Sequence, residues 1–125
     1  MYAPCTVHFH MAEIKVIRAR FYEQNSGRSP VRDWIKRLSD ADRKTVGKDI
    51  RVVEFGWPVG LPVCRPLSGH RGLWEVRSNI SNGRIARVLF CIQSGEMILL
   101  HGFIKKSKTT PKSDLELAEV RKGNL

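Results

Sequence analysis

The chain has 125 residues, 42% of them hydrophobic, and carries 22 Lys and Arg against 12 Asp and Glu, a net charge of +10. That length fits one domain able to bury its own core, and the apolar fraction excludes wholesale disorder. The charge points to a polyanionic partner, nucleic acid before an anionic membrane. The longest apolar runs, Val88 to Ile92 and Met97 to Leu100, fall far short of the ~20 residues of a spanning helix, so no membrane partner is expected.

Residues 1–10, MYAPCTVHFH, lack the basic and apolar regions of a signal peptide. They are expected to form a disordered extension, with a single domain over residues 11–125 and Met11 as an alternative start. Cys5, Cys64 and Cys91 show no CxxC spacing and no even-numbered disulfide framework, which fits a reducing cytoplasm. His8, His10, His70 and His101 do not fall at zinc spacing with them. His8-Phe9-His10 reads as a tail rather than a metal grip, so neither metal nor cofactor is expected.

Glu13 to Phe21, rich in Ile14, Val16 and Ile17, reads as a first strand, and Asn25-Ser26-Gly27 as a turn. Ser29-Pro30 marks a helix start, with Ser as cap and Pro at the first helical position. Val31, Trp34, Ile35 and Leu38 follow at helical spacing. Ser39-Asp40-Ala41-Asp42 begins a second capped helix whose apolar face is Val46, Ile50 and Val53, ended at Gly56 with Pro58 beyond. Gly60 to Arg71 reads as a Gly/Pro-rich connection. Leu73 to Ser78, Arg84 to Ile92 and Met97 to Lys105 read as strands, joined by turns at Ser81-Asn82-Gly83 and Ser94-Gly95. Thr110-Pro111 repeats the cap-plus-proline signal before a last helix bearing Leu115, Ala118 and Val120. The expected order is β-α-α-β-β-β-α. This is an α+β fold with about four mostly antiparallel strands, two N-terminal helices packed on the sheet and a C-terminal helix.

Gly72-Leu73-Trp74-Glu75-Val76-Arg77, Arg84-Ile85-Ala86-Arg87-Val88-Leu89-Phe90 and His101-Gly102-Phe103-Ile104-Lys105-Lys106-Ser107-Lys108-Thr109-Thr110-Pro111, in that order, resemble the phage-related HigB-like branch of the RelE/ParE toxin superfamily. The upstream Arg65-Pro66-Leu67-Ser68-Gly69 is similar to it as well. The resemblance spans roughly residues 12–122 and implies a RelE-like fold. It implies a toxin neutralised by a cognate antitoxin that, in the HigB branch, resembles a helix-turn-helix DNA-binding protein. Many members of the superfamily enter the ribosome and cut mRNA, whereas ParE-like members poison DNA gyrase, so fold alone does not choose between them. A third reading is an inert phage-derived module that only complexes its antitoxin. No small-molecule ligand is implied.

RNA cleavage of this kind uses the 2′-OH as nucleophile, and fixed cations can stabilise the charge that develops on the phosphate. Arginine suits that task, because its planar fork binds two phosphate oxygens and stays charged. The catalytic candidates are Arg87, Arg77, Lys105, Lys106, His70 and Glu75. The resemblance places Arg87 at a catalytic arginine position. Arg77 and Glu75 lie two residues apart on one strand face, so a surface ion pair of little worth is the bland alternative. His70, Glu75 or a lysine could act as base, while His101 reads as structural. Arg65, Arg71, Arg84, Phe103 and Lys108 are candidates for holding RNA, Phe103 by stacking on a base if it is not simply core. The basic face of the helices (Arg32, Lys36, Arg37, Arg43, Lys44, Lys48) reads as solvated or as a phosphate contact. One condition attaches to the shared site. A strict two-residue Asn82-Gly83 turn pairs Arg77 with Val88 and puts Arg77 and Arg87 on opposite sheet faces. Only a bulge or an odd-length loop within Ser78 to Arg84 brings them together.

Overall fold

The computed structural model describes residues 14–105 and 110–125. The N-terminal extension expected over residues 1–10, Met11, and the candidates Lys106 and Lys108 lie outside them. Among the described residues five strands form one sheet: β1 (Arg18–Phe21), β2 (Cys64–Pro66), β3 (Trp74–Asn79), β4 (Ile85–Gln93) and β5 (Glu96–Lys105). Three helices accompany them, α1 (Pro30–Lys36), α2 (Asp40–Gly56) and α3 (Lys112–Gly123). The spatial order is β1-β5-β4-β3-β2, with β1 parallel to β5 and every other pair antiparallel. The α+β class holds. The strand beyond expectation is β2, inside the connection read as Gly/Pro-rich. It is a short edge strand ending in Pro66, where proline's missing donor is tolerated, and it carries too little periodicity to be seen in sequence.

The helices divide between the two faces of the sheet. Val31, Trp34 and Ile35 of α1 and Val46, Ile50 and Val53 of α2 pack with Val76, Val88, Phe90, Met97 and Leu99. On the other face Leu115 and Ala118 of α3 meet Leu73, Leu89, Cys91, Ile98 and Leu100. The helical periodicities of 31–38 and 46–53 thus face the core, whereas Val120 is 61% exposed and lies off the buried stripe of α3. At the start of α2 the Ser39 hydroxyl accepts from the Asp42 amide at 3.3 Å, the expected cap. Ser29 stands at the cap position of α1 without a side-chain bond.

The first strand is shorter than its apolar sequence implies. It begins at Arg18 because the amides of Val16 and Ile17 donate to the Glu54 carbonyl at the end of α2 (2.8 and 3.1 Å) and not to the sheet. The buried Glu54 carboxylate also accepts from the Ala19 amide at 2.7 Å. An edge strand is thereby blocked from pairing with another chain by a carboxylate and by its own brevity.

Two irregularities decide which side chains share a face. The pairing of β5 with β4 shifts between Leu89 and Phe90 of β4, with Leu89 opposite His101 and Phe90 opposite Leu99. Leu100 is the extra residue, and after it His101 points to the α3 side while Gly102 turns toward α1. The Trp34 indole lies against Gly102 so closely that a Cβ there would run into it. The second irregularity is the β3–β4 connection. Asn79 pairs with Ile85, leaving residues 80–84 as an odd-length loop closed by Ile80 N–H donating to the Arg84 carbonyl at 3.0 Å. Asn82 and Gly83 both sit at positive φ, 60° and 68°, where Asn and Gly are the favoured residues.

Candidate nucleic-acid interface

The odd loop sets Arg77 directly across from Arg87. The two-residue turn, and with it the Arg77–Val88 pairing, does not occur, and the condition for a shared face is met. Successive rows can be read across that face, each neighbour one strand spacing away. Arg65, Glu75, Leu89 and His101 form one row. Arg77, Arg87 and Phe103 form the next, and Lys105 follows two residues beyond Phe103 on β5.

Glu75 is the hub. It is fully buried, and its Oε1 accepts from Arg65 Nε at 3.0 Å and from an Arg87 terminal nitrogen at 3.1 Å. Its Oε2 accepts from the same Arg87 nitrogen at 3.2 Å and from the Thr110 hydroxyl at 2.9 Å. Arg77 Nε lies 3.8 Å from Oε1, an ion pair longer than a hydrogen bond. The bland surface pair is therefore excluded: the carboxylate is buried, and guanidinium groups from β2, β3 and β4 converge on it.

The arginines differ in exposure. The Arg87 side chain is fully buried, while those of Arg65 and Arg77 are 33% and 27% exposed. One carboxylate against three guanidinium groups leaves this face positive. The surplus reaches solvent through Arg65 and Arg77. Phe103 and Lys105 are half-buried beside them. Phe103 stacks on the His101 ring at 5.4 Å and 20°, and His101 Nε2 meets Asp114 Oδ1 of α3 at 2.6 Å. His101 thus ties the helix to the sheet.

The other candidates lie elsewhere. His70 Nδ1 meets Glu119 Oε2 at 3.0 Å, and the Arg71 carbonyl accepts from Lys122 Nζ at 2.8 Å. Both serve the C-terminal half of α3, at the far end of β3 from Arg77. Arg84 reaches to the α2 side, where its guanidinium meets Asp42 Oδ2 at 2.9 Å. Asp42 also accepts from the Ser81 amide and hydroxyl, each at 3.0 Å. The Ser81 amide bond holds the Asp42 carboxyl below the usual carboxylate range, aided by the two serine hydroxyls and Arg84 and opposed by burial. Arg84 therefore anchors the hairpin that sets the Arg77–Arg87 register.

Thr110, whose sequence context signals a helix cap, is instead a partner of Glu75 that no local pattern reveals. The structure gives the cap position to Pro111, with no side-chain cap bond. Among the described residues, no group of three or more His, Cys, Asp or Glu side chains is placed to hold a metal ion. No described helix is long and apolar enough to cross a membrane. The family model of the phage-derived protein Gp49-like (DUF891) matches residues 33–123, which take in the whole of this face. No curated protein matches the chain.

Proposed function

The chain belongs to the Gp49-like family of phage-derived proteins, within the RelE/HigB toxin-like superfamily, and we propose that it is a toxin that cuts messenger RNA on the ribosome. Gp49-like proteins are commonly toxins of toxin–antitoxin pairs. We assign this one to the HigB-like branch, with a helix-turn-helix antitoxin, acting in the cytoplasm without metal or cofactor. The observation that carries the reading is the pairing of Arg77 with Arg87 on one face, around a buried carboxylate too small in charge to neutralise them.

In this reading Arg77 and Arg65 grip the scissile phosphate, and Arg87 fixes the orientation of Glu75 and through it that of Arg65. Phe103 stacks on an adjoining base, and Lys105 adds positive charge at the open end of the row. The 2′-oxygen gives up its proton and bonds to phosphorus. The bond from phosphorus to the 5′-oxygen breaks, and that oxygen takes up a proton. The products are a 2′,3′-cyclic phosphate and a 5′-hydroxyl. The developing negative charge falls between fixed guanidinium groups in a partly dry site, where it is stabilised most. Glu75 as base would have to release a donor before accepting a proton.

The test is 5′-end mapping of cellular mRNA shortly after induction of the chain alone, beside Arg77→Met, which keeps the apolar stem. Cuts confined to translated frames and absent in the variant support the reading. Arrested growth with intact mRNA and DNA damage would replace it with gyrase poisoning. Normal growth with antitoxin binding would leave an inert module.

A further inference from the structure

Thr110 departs from what its sequence context predicts. A Thr-Pro pair ahead of a helix is a cap signal, yet the Thr110 hydroxyl donates to Glu75 Oε2 at 2.9 Å and α3 begins without a side-chain cap. Among the described residues it is the one donor to Glu75 that is not a guanidinium. Its partner atom is Oε2, not the Oε1 that stands opposite Arg77 Nε in the ion pair. Oε1, 3.8 Å from Arg77 Nε, is already shared by Arg65 and Arg87. Arg77 Nε is buried and has no hydrogen-bond partner among the described residues.

A buried donor left unmade is costly, and a carboxylate so near would be expected to turn and satisfy it. What opposes that rotation at Oε2 is the Thr110 hydroxyl at 2.9 Å, beside the longer 3.2 Å bond from the Arg87 nitrogen that also holds Oε1. We propose that Thr110 is a positioning residue that holds Glu75 in its present rotation, keeps Arg77 from being quenched by it, and so leaves the Arg77 guanidinium available to a phosphate. The part concerning phosphate rests on the RNA-cutting reading above; the geometric part does not.

The test compares Thr110→Val, which keeps shape and loses the hydroxyl, with Thr110→Ser, which keeps the hydroxyl, using Thr110→Ala if the valine variant does not fold. Two readouts are needed. The first is the NMR signal of Arg77 Nε–H, assigned by its loss in Arg77→Met. In Thr110→Val it is expected to move downfield and exchange more slowly as a bond to Glu75 forms; in Thr110→Ser it is expected to stay at the wild-type position. The second is mRNA cleavage on translating ribosomes, with kcat expected to fall about tenfold or more in Thr110→Val, KM within about twofold, and Ser restoring the rate. An Arg77 signal unmoved by valine would overturn the proposal, as would a serine variant as impaired as the valine one. If the signal moves as expected but the wild type cuts no RNA, the geometric role stands and the nuclease reading falls.

Discussion

Removing the charge of Glu75 while keeping its shape, as Glu75→Gln does, tests the hub directly. Taking one partner from a buried ion pair costs about 3–5 kcal/mol, most of it from the buried charge left behind. Gln keeps one carbonyl oxygen for Arg87 or Thr110, which puts the expectation at the low end, about 3 kcal/mol. The contribution comes mainly from Arg87, whose side chain is fully buried; Arg65 is one-third exposed and adds at most about 1 kcal/mol. Unfolding entropy of about 2.1 cal/mol/K per residue gives about 0.26 kcal/mol/K for 125 residues. The melting temperature should then fall by about 11 °C in Glu75→Gln and by less than about 4 °C in Arg65→Met. Thermal unfolding followed by circular dichroism reads both. Equal shifts in the two variants would refute the view that the buried carboxylate organises this face.

Three further outcomes follow from particular contacts. Gly102→Ala should destabilise by about 1–3 kcal/mol through the clash with Trp34, and Gly102→Ala with Trp34→Leu should recover part of that loss in urea titrations. The Asp42 carboxyl is held below its ordinary value of 3.8, so its contribution is complete above that value and disappears as pH falls through the lower folded one. The stability gap between wild type and Asp42→Asn should therefore be constant near neutrality and narrow in acid; a gap that widens as pH falls below 3.8 would contradict the assignment. Burial pushes the Cys64 thiol up to about 11, with the Glu75 charge adding to the effect. Mapped alkylation at pH 8 should leave Cys64 unmodified in the folded protein and label it in urea.

The parts of the fold legible in the sequence were those with strong periodicity or punctuation. The apolar faces at 31–38 and 46–53 and the turn at Ser94-Gly95 carry local signals, and local signals suffice for them. The register of β3 on β4 is different. Asn82-Gly83 is the residue pair of a tight hairpin, and both residues do take positive φ. The three residues 81–83 inside the Ile80–Arg84 closing bond are nonetheless one more than that turn has, and Asp42 on α2 binds Ser81 and Arg84 at the loop's two ends. A contact between residues about forty positions apart thus holds the loop that sets Arg77 opposite Arg87 and not Val88. The bulge at Leu100 is hidden in the same way, since Gly102 matters only once Trp34 is packed against it. Glu75 and Arg87 were recognisable as candidates, but their burial was not, because a charged residue in a strand reads as a surface residue until its partners are known. Thr110 shows the reverse case, a clear local cap signal overruled by a tertiary acceptor.

A buried carboxylate among arginines is a poor device for stability alone. Well-packed apolar residues of similar volume often match or exceed a buried ion pair, and Leu73, Leu89, Ile98 and Leu100 already provide an apolar bed on the same face. What the pair supplies and leucine cannot is direction. It fixes Arg65 by a 3.0 Å bond and draws Arg77 to 3.8 Å, with both guanidinium groups reaching solvent. If that is its role, Glu75→Leu with Arg87→Met should fold with a melting temperature within about 5 °C of wild type and still fail to cut mRNA. It should also bind RNA less tightly, with a shallower dependence on salt, because disordered side chains neutralise fewer phosphates. A double variant that folds and cuts at the wild-type rate would separate the buried pair from the chemistry and leave Arg65 and Arg77 acting through charge alone.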